Sequence, residues 1–302
     1  MCENPHVIFI RHNMQDKEDG NICERLYNEN KIAYHYGEIT HNEALKMSKT
    51  GHAYKTATIF ENAEGKLVVA EYTLKKQKHY LLGKVISSDV KNESNEHGRI
   101  YKTLKLDIKD FSDINKNGLK DFPTDDFPVY YAVRPSFITC REYGDKYHNP
   151  FFEQIIPAVY NNTEFEINVH SLHSSMIEQM CEEYLRQNGI DGRDASKLQY
   201  DICKVGKDME KYDIVGVNKK EKIFAQVKAD WQKSYKDIFK DDKMIGTKIV
   251  FADIKENKKI GDVYFISIQT VFNYFKDKNK DQMLKDMAGI AEEFRHLIKI
   301  TK

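Results

Sequence analysis

Two apolar runs joined by a charged turn form the clearest pattern in the chain, in the segment YDIVGVNKKEKIFAQVKAD at 212–230. Side chains alternate between the two faces of a strand, so the pattern predicts a β-hairpin whose second strand presents Gln226 and Lys228 on one face. Asp213 opens the first strand. These polar groups cost several kcal/mol each to desolvate unless they are paired or bound. We therefore expect them to form one polar site, with a solvated hairpin as the simplest alternative.

An amphipathic helix is predicted just before this hairpin. In 174–190, apolar residues recur at three- and four-residue spacing after a serine suited to a helix N-cap, and Glu178 lies near the start. A strand is predicted at LQYDIC (198–203), and two more at TKIVFADI (247–254) and DVYFISIQ (262–269), the last followed by a short helix, TVFNYFK. The stretch 281–300 carries one apolar stripe and predicts a helix that covers the core, or alternatively a homodimer contact.

The first half of the chain has a different rhythm. Short β-like runs are separated by turns that contain Gly, Asn or Asp, which favours a small barrel or a strongly bent sheet. Helices are expected near 20–30 and 41–50. The runs are HVIFIRH, KTATIFE, KLVVAEYTL, YLLGKVISS, YKTLKLDIKDF, VYYAVR and SFITCREY.

These patterns predict an α+β chain of two domains. A β-rich barrel-like module is expected at 1–150, and an α/β domain at 171–302. The segment 151–170 between them contains FFEQIIPAVY, which is too apolar for a free linker, so we expect it to pack.

Composition bounds the function classes. The 302 residues carry 47 basic and 47 acidic side chains, so net charge gives no reason to expect a nucleic-acid partner, and any basic surface must be local. Five cysteines without Cys-x-x-Cys spacing favour a reducing cytoplasm and no zinc site. We find no signal-peptide pattern and no apolar run long enough to span a membrane, so no membrane partner is expected.

The hairpin motif resembles the PD-(D/E)xK nuclease superfamily, in its Mrr-like branch with a Gln-x-Lys variant. The order helix, strand, hairpin, helix, strand, strand over about 171–275 is close to that family's core, which implies a restriction-endonuclease-like C-terminal domain. The resemblance implies catalytic roles for Glu178, Asp213, Gln226 and Lys228, and Mg²⁺ or Mn²⁺ as the cofactor. The metal would be held by Asp213, Gln226, the Val227 carbonyl and Glu178.

That resemblance predicts a metal-dependent endonuclease, a hydrolase of phosphodiester bonds with DNA as the expected substrate, acting in restriction or phage defence. Gln226 departs from the acidic residue usual in the motif, and a neutral carbonyl oxygen weakens a hard-cation site. The first alternative is therefore a catalytically inactive nuclease fold that binds nucleic acid or assembles with protein. The second is a protein-interaction scaffold with no nucleic-acid role.

The N-terminal half faintly resembles PUA-like barrels of the EVE type, in its rhythm of strands. That resemblance implies an aromatic cup that binds nucleic acid, because aromatic rings stack on bases and arginine grips phosphate or guanine. The candidate residues are Arg11, Tyr34, Tyr36 and Arg134, with His35 and Tyr72 beside them. Aromatic residues packed in a half-buried strand are the alternative. Five of the histidines in this half show no ligand spacing that indicates a metal: His12, His35, His41, His52 and His79.

Overall fold

The computed structural model describes residues 7–12, 22–95, 97–115, 117–123, 137–139, 155–172, 174–190, 192, 194–201, 212–228, 239, 245–277, 284 and 292–300. The chain is a mixed α/β protein that separates into two compact units. Unit 1 is Met1–Phe165 with Ile290–Leu297, and unit 2 is Glu166–Gly289 with Ile298–Lys302. Among the described residues, no helix combines the length and the apolar content that crossing a membrane requires.

In the described part of unit 1, a curled half-barrel sheet of seven strands runs in the order β2-β6-β4-β3-β1-β7. Strand β5 pairs with the first half of β6, whereas β4 pairs with its second half, so one long strand serves two partners along the same side. Strands β1 and β3 are parallel. The strands are β1 Val7–His12, β2 Lys31–Tyr34, β3 Leu67–Leu74, β4 Gln77–Val85, β5 Lys91–Ser94, β6 Ile100–Ile108 and β7 Phe137–Thr139.

Four helices accompany this sheet in the described residues: α1 Ile22–Asn28, α2 His41–Ala44, α3 His52–Glu61 and α4 Ile156–Asn161. Helix α3 corrects the predicted strand KTATIFE. Its buried residues Ala53, Thr56, Ala57 and Phe60 follow helical spacing, so the periodicity of burial overrides the β-branched residues. The apolar stretch predicted to pack does so, since Ile155, Ile156 and Val159 are buried at α4.

Unit 2 is built on a six-stranded sheet, counted over the described residues, in the order β13-β14-β12-β11-β10-β9. Strands β9, β10 and β11 are antiparallel neighbours, whereas β11, β12 and β14 are parallel. The predicted hairpin and both later strands are therefore present. The strands are β9 Tyr200–Asp201, β10 Ile214–Val217, β11 Lys222–Lys228, β12 Thr247–Ala252, β13 Lys258–Ile260 and β14 Val263–Ser267.

Two helices of unit 2 pack on this sheet. Helix α5, Ser174–Gln187, contacts β12 through the edge-to-face rings of Tyr184 and Phe251 at 6.5 Å. Helix α6, Ile268–Asp277, meets α5 through Tyr274 and Tyr184, whose ring centroids are 5.2 Å apart. Helix α6 begins directly after β14, with no intervening loop.

Within the stretch 281–300, where a C-terminal helix was expected, Leu284 is helical and buried, but the helix does not extend over 292–300. Glu292–Leu297 form a 3-10 helix, and Ile298–Ile300 form strand β15, which pairs with β8, Phe165–Ile167. The predicted stripe is still buried at Phe294 and Leu297. Phe294 packs within unit 1 against Phe111, with ring centroids 5.6 Å apart.

Candidate functional site

Asp213 lies just before β10, and its main chain does not follow the regular ladder. Its N–H donates to the carbonyl of Ala225 at 3.0 Å, although Ala225 is already the ladder partner of Ile214. This bond is shifted by one residue from the register of the ladder, so the pairing of the two strands ends irregularly at Asp213. The Asp213 carboxylate is half-buried, and its Oδ2 accepts a hydrogen bond from the Val227 N–H at 2.7 Å.

Strand β11 brings the rest of the motif to the same end of the hairpin. Gln226 and Lys228 flank Val227 and point to the face opposite the Val227 side chain. Gln226 is half-buried and Lys228 is exposed, as expected for a strand that leaves the core at its last residue. The bond from Val227 to Asp213 therefore holds the carboxylate against the middle of the Gln-x-Lys triplet.

Helix α5 carries the fourth predicted residue. Glu178 is half-buried, one helical turn before the fully buried Cys181. Burial raises the pKa of the Cys181 thiol well above its usual range, and the charges of Glu178 and Asp213 raise it further. The Cys181 thiol therefore lies near both carboxylates. By register, Phe251 shares the face of the Val227 side chain, so α5 packs on the face opposite Gln226 and Lys228.

These donors have the chemistry of a hard-cation site, since carboxylate and amide oxygens suit Mg²⁺ and Mn²⁺. A carboxylate has about four lone-pair positions, so the bond from Val227 leaves Asp213 with capacity for an ion. The set of charged ligands is small, however. In the described parts of the chain, no three His, Cys, Asp or Glu side chains gather closely enough to hold a metal ion.

The aromatic residues predicted for the N-terminal cup lie largely in the core of unit 1. Tyr34 is buried, and its hydroxyl lies 2.7 Å from Nδ1 of His41. Tyr72 is fully buried, and its hydroxyl donates to the Lys31 carbonyl at 2.7 Å. Neither ring presents a face on which a base can stack. Tyr36 is half-buried, with its hydroxyl 3.3 Å from Thr56, so its predicted role stays a prediction.

The predicted arginines have different outcomes. Arg11 forms an ion pair with the buried Glu71, with Nε 2.9 Å from Oε1. Lys78 and the Tyr80 hydroxyl also bind this carboxylate, at 3.3 and 3.1 Å. Arg11 is thus part of a buried polar cluster that joins β1, β3 and β4. Arg134 lies outside the described residues. His35, the remaining neighbour, lies with Nδ1 3.1 Å from the Ile100 carbonyl.

Two buried titratable side chains of unit 1 lie outside the predicted site. His12 is fully buried between the Glu71 carbonyl and the Ala33 N–H, and burial lowers its pKa to about 4. Lys102 is fully buried too, with Nζ 5.5 Å from the centre of the Tyr34 ring. The burial of Lys102 could have been predicted from sequence, because alternate residues of a strand share a face and Leu104 and Leu106 on that face are buried.

Comparisons of the chain with protein-family models, with curated proteins and with solved structures find no match.

Proposed function

We propose that this protein is a metal-dependent nuclease that hydrolyses phosphodiester bonds, and that its site lies at the start of β10 and the end of β11. The observation that carries the proposal is the hydrogen bond from the Val227 N–H to Asp213 Oδ2, 2.7 Å long. It fixes an acid beside the triplet that supplies an amide and a lysine. This is the constellation expected from the resemblance to the PD-(D/E)xK superfamily.

The order of elements in unit 2 supports the same proposal. Helix α5 is followed by three antiparallel strands, β9 to β11, and then by β12, which is parallel to β11. In such a sheet the end of β11 and the start of β10 meet at one edge, and ligands bind preferentially at the carboxyl ends of parallel strands. The acid and the triplet lie at that edge.

Each residue has a role that its position allows. Asp213 and Glu178 supply the negative charge that draws a cation to this edge, and Gln226 adds a neutral oxygen. When bound there, Mg²⁺ or Mn²⁺ would supply a Lewis acid that polarises a phosphate oxygen and acidifies a water. Lys228 orients the attacking water and offsets the charge that develops on the phosphate oxygens. Its exposure leaves the ammonium accessible to a large substrate.

One observation favours a second function, a nuclease fold that binds nucleic acid without cutting it. Gln226 stands at the position of the motif where an acidic residue would add a charged metal ligand. Lys228 favours the active enzyme, because the resemblance implies that a lysine at this position of the motif stabilises charge on the phosphate.

The test is incubation of the purified protein with plasmid DNA, linear DNA, modified DNA and RNA, each with Mg²⁺, with Mn²⁺ or with EDTA. We expect cation-dependent cleavage of DNA, absent from the Asp213→Asn variant. Cation-independent binding with no cleavage of any substrate would favour the inactive fold. Cleavage that persists in Asp213→Asn would indicate a contaminating nuclease or a different site.

A further inference from the structure

The hairpin formed by β3 and β4 in unit 1 closes with an unusual two-residue turn. The ladder is continuous as far as the pair Leu74 and Gln77, so Lys75 and Lys76 alone make the turn. Both lysines have positive φ angles, 49° and 70°. Two positive angles in succession define a type I′ turn, for which Asn-Gly is the preferred sequence. Lysine side chains are strained in this left-handed region, so they destabilise the turn that they form.

The same turn carries positive charge that the described residues do not neutralise. The hairpin tip, which we define as residues 75–78, is exposed at all four positions and contains three lysines. Among the residues that the structure describes, the ammonium groups of Lys75 and Lys76 have no ion-pair partner. Lys78 Nζ lies 3.3 Å from Glu71 Oε1, but Arg11 Nε lies 2.9 Å from the same oxygen. Glu71 therefore leaves the charge of the tip uncompensated.

The hairpin tip is held by well-packed neighbours. Leu74, the last residue of β3, packs against the buried core of unit 1. On β4, Nδ1 of His79 lies 2.7 Å from Asp121 Oδ2, and the Tyr27 hydroxyl donates to Asp121 Oδ1 at 2.6 Å. These contacts tie the start of β4 to helix α1. A ligand that binds the tip thus meets an ordered surface, which keeps the entropic cost of binding small.

We propose that the hairpin tip of unit 1 binds the phosphate backbone of duplex DNA. Lys75 and Lys76 present adjacent ammonium groups, each able to displace a counterion from a phosphate, and the Gln77 amide donates to a phosphate or sugar oxygen. The tip has no apolar side chain, which disfavours a lipid surface, because interfacial binding draws on buried apolar area. This inference rests on the proposed function, which supplies the reason to expect DNA. The contact positions the substrate and takes no part in breaking the bond.

The experiment gives the turn its preferred sequence, in the full-length protein. Lys75→Asn/Lys76→Gly removes both charges and also relieves the backbone strain. We expect the melting temperature to rise by about 2 to 4 °C, while affinity for a labelled DNA duplex falls on the order of tenfold. The log–log salt slope of binding should decrease in magnitude by about 1 for each lysine removed, as for lost phosphate contacts. Fluorescence anisotropy in EDTA, over a series of salt concentrations, measures binding without cleavage.

Two matched variants separate a contact at the tip from a general effect of net charge. Lys75→Arg/Lys76→Arg keeps both charges in the strained turn, so it should bind DNA as the wild type does. Lys46→Gln/Lys49→Gln removes the same number of charges from other exposed positions of unit 1, and it should also bind as the wild type does. Thermal melts of all the variants show that each is folded at the temperature of the binding measurement.

The outcomes distinguish this inference from the proposed hydrolysis. Wild-type affinity in Lys75→Asn/Lys76→Gly, or an equal loss in either matched variant, would overturn the contact. No DNA binding by the wild type would overturn it too, and binding to vesicles that contain phosphatidylserine would then indicate a lipid surface. A selective loss in Lys75→Asn/Lys76→Gly, in a protein that cuts no substrate with any cation, would support the contact and reject the nuclease activity. Cleavage by a wild type whose variants all bind alike would reject only the contact.

Discussion

The Asp213 carboxylate is bonded to the main chain of Val227, the middle residue of the Gln-x-Lys triplet, through a 2.7 Å hydrogen bond. This bond joins the acid to the Gln-x-Lys triplet through the main chain of Val227. It does not involve the side chains of Gln226 or Lys228. Substituting Gln226 or Lys228 should therefore leave the position of the acid unchanged. The motif can be dissected one group at a time.

Asp213→Asn and Asp213→Ala should separate charge from position. The asparagine Oδ1 can still accept from Val227, so Asp213→Asn should fold normally and lose divalent-cation binding and cleavage. Asp213→Ala leaves the half-buried Val227 N–H without its acceptor and should also cost about 1 to 3 kcal/mol of unfolding free energy. Calorimetric titration with Mn²⁺ and urea denaturation measure the two effects. Equal stability of the two variants would contradict the structural role of this bond.

Lys228→Ala should abolish cleavage without affecting folding, because the side chain is exposed at the end of β11. Removing a cation that stabilises developing charge typically lowers the rate about 10²-fold or more. Lys222→Ala is the matched control, since Lys222 is also exposed and begins the same strand. Single-turnover cleavage rates give the comparison. A rate that falls equally in both variants would indicate a general charge effect and not a catalytic group.

Gln226→Glu should tighten cation binding by adding a charged ligand beside Asp213, whereas Glu178→Gln should weaken it less than Asp213→Asn does. The order of Mn²⁺ affinities from calorimetry should therefore be Gln226→Glu, wild type, Glu178→Gln and Asp213→Asn. Faster turnover is not required of Gln226→Glu. The same affinity in all four proteins would mean that no cation binds here.

Burial of His12 makes the stability of unit 1 depend on pH. Its pKa is lowered to about 4 in the folded state, below the 6.5 of an unfolded chain, so the unfolded state binds the proton more readily. The stabilisation is complete above pH 6.5 and is lost as pH falls towards 4, by about 3 kcal/mol for this group. Urea denaturation at pH 7 and pH 5, with an NMR titration of the His12 ring, tests this. A ring that titrates near pH 6.5 in the folded protein would contradict it.

Lys102→Met should stabilise unit 1. Burial lowers the pKa of Lys102, although the charges of Glu38 and Glu43 oppose this effect, and its one described hydrogen bond goes to the Ile100 carbonyl at 3.2 Å. Replacing a buried, poorly paired ammonium with an apolar side chain of similar length should gain about 1 to 3 kcal/mol. Because the folded pKa lies below the unfolded value, the gain should be largest near neutral pH and should vanish as pH rises past about 10.4. Thermal melts at pH 7 and pH 10 measure it, and a loss of stability at pH 7 would show that the ammonium is well paired.

The hairpin could be predicted from sequence because its alternation, its charged turn and its polar residues all indicate the same register. β10 and β11 lie within the predicted runs, and β12 and β14 nearly match theirs. The irregular pairing at Asp213 could not be predicted. Alternation alone places Asp213 opposite Gln226, whereas the N–H of Asp213 bonds to Ala225. The Asp213 carboxylate accepts the Val227 N–H, and a side-chain bond of this kind cannot be read from the spacing of apolar and polar residues.

The predicted N-terminal cup shows a second limit of prediction from sequence, which concerns the burial of aromatic residues. Tyrosines in a half-buried strand are compatible with a core and with a binding surface, and only the closure of the sheet decides between them. Tyr34 and Tyr72 have hydroxyl partners inside unit 1, so their rings fill its core. The prediction of a strand at KTATIFE is wrong for a related reason. Its β-branched residues favour a strand locally, but its buried positions repeat as a helix does.

The return of Ile290–Leu297 to unit 1 has a consequence for synthesis on the ribosome. Phe294 packs against Phe111 and Phe122, so the core of unit 1 stays incomplete until Phe294 has been translated. At typical elongation rates, the intervening Glu166–Gly289 delays completion by on the order of ten seconds. During that interval Phe111 and Phe122 lack their packing contact with Phe294. A truncation that removes Phe294 would therefore damage unit 1 as well as unit 2.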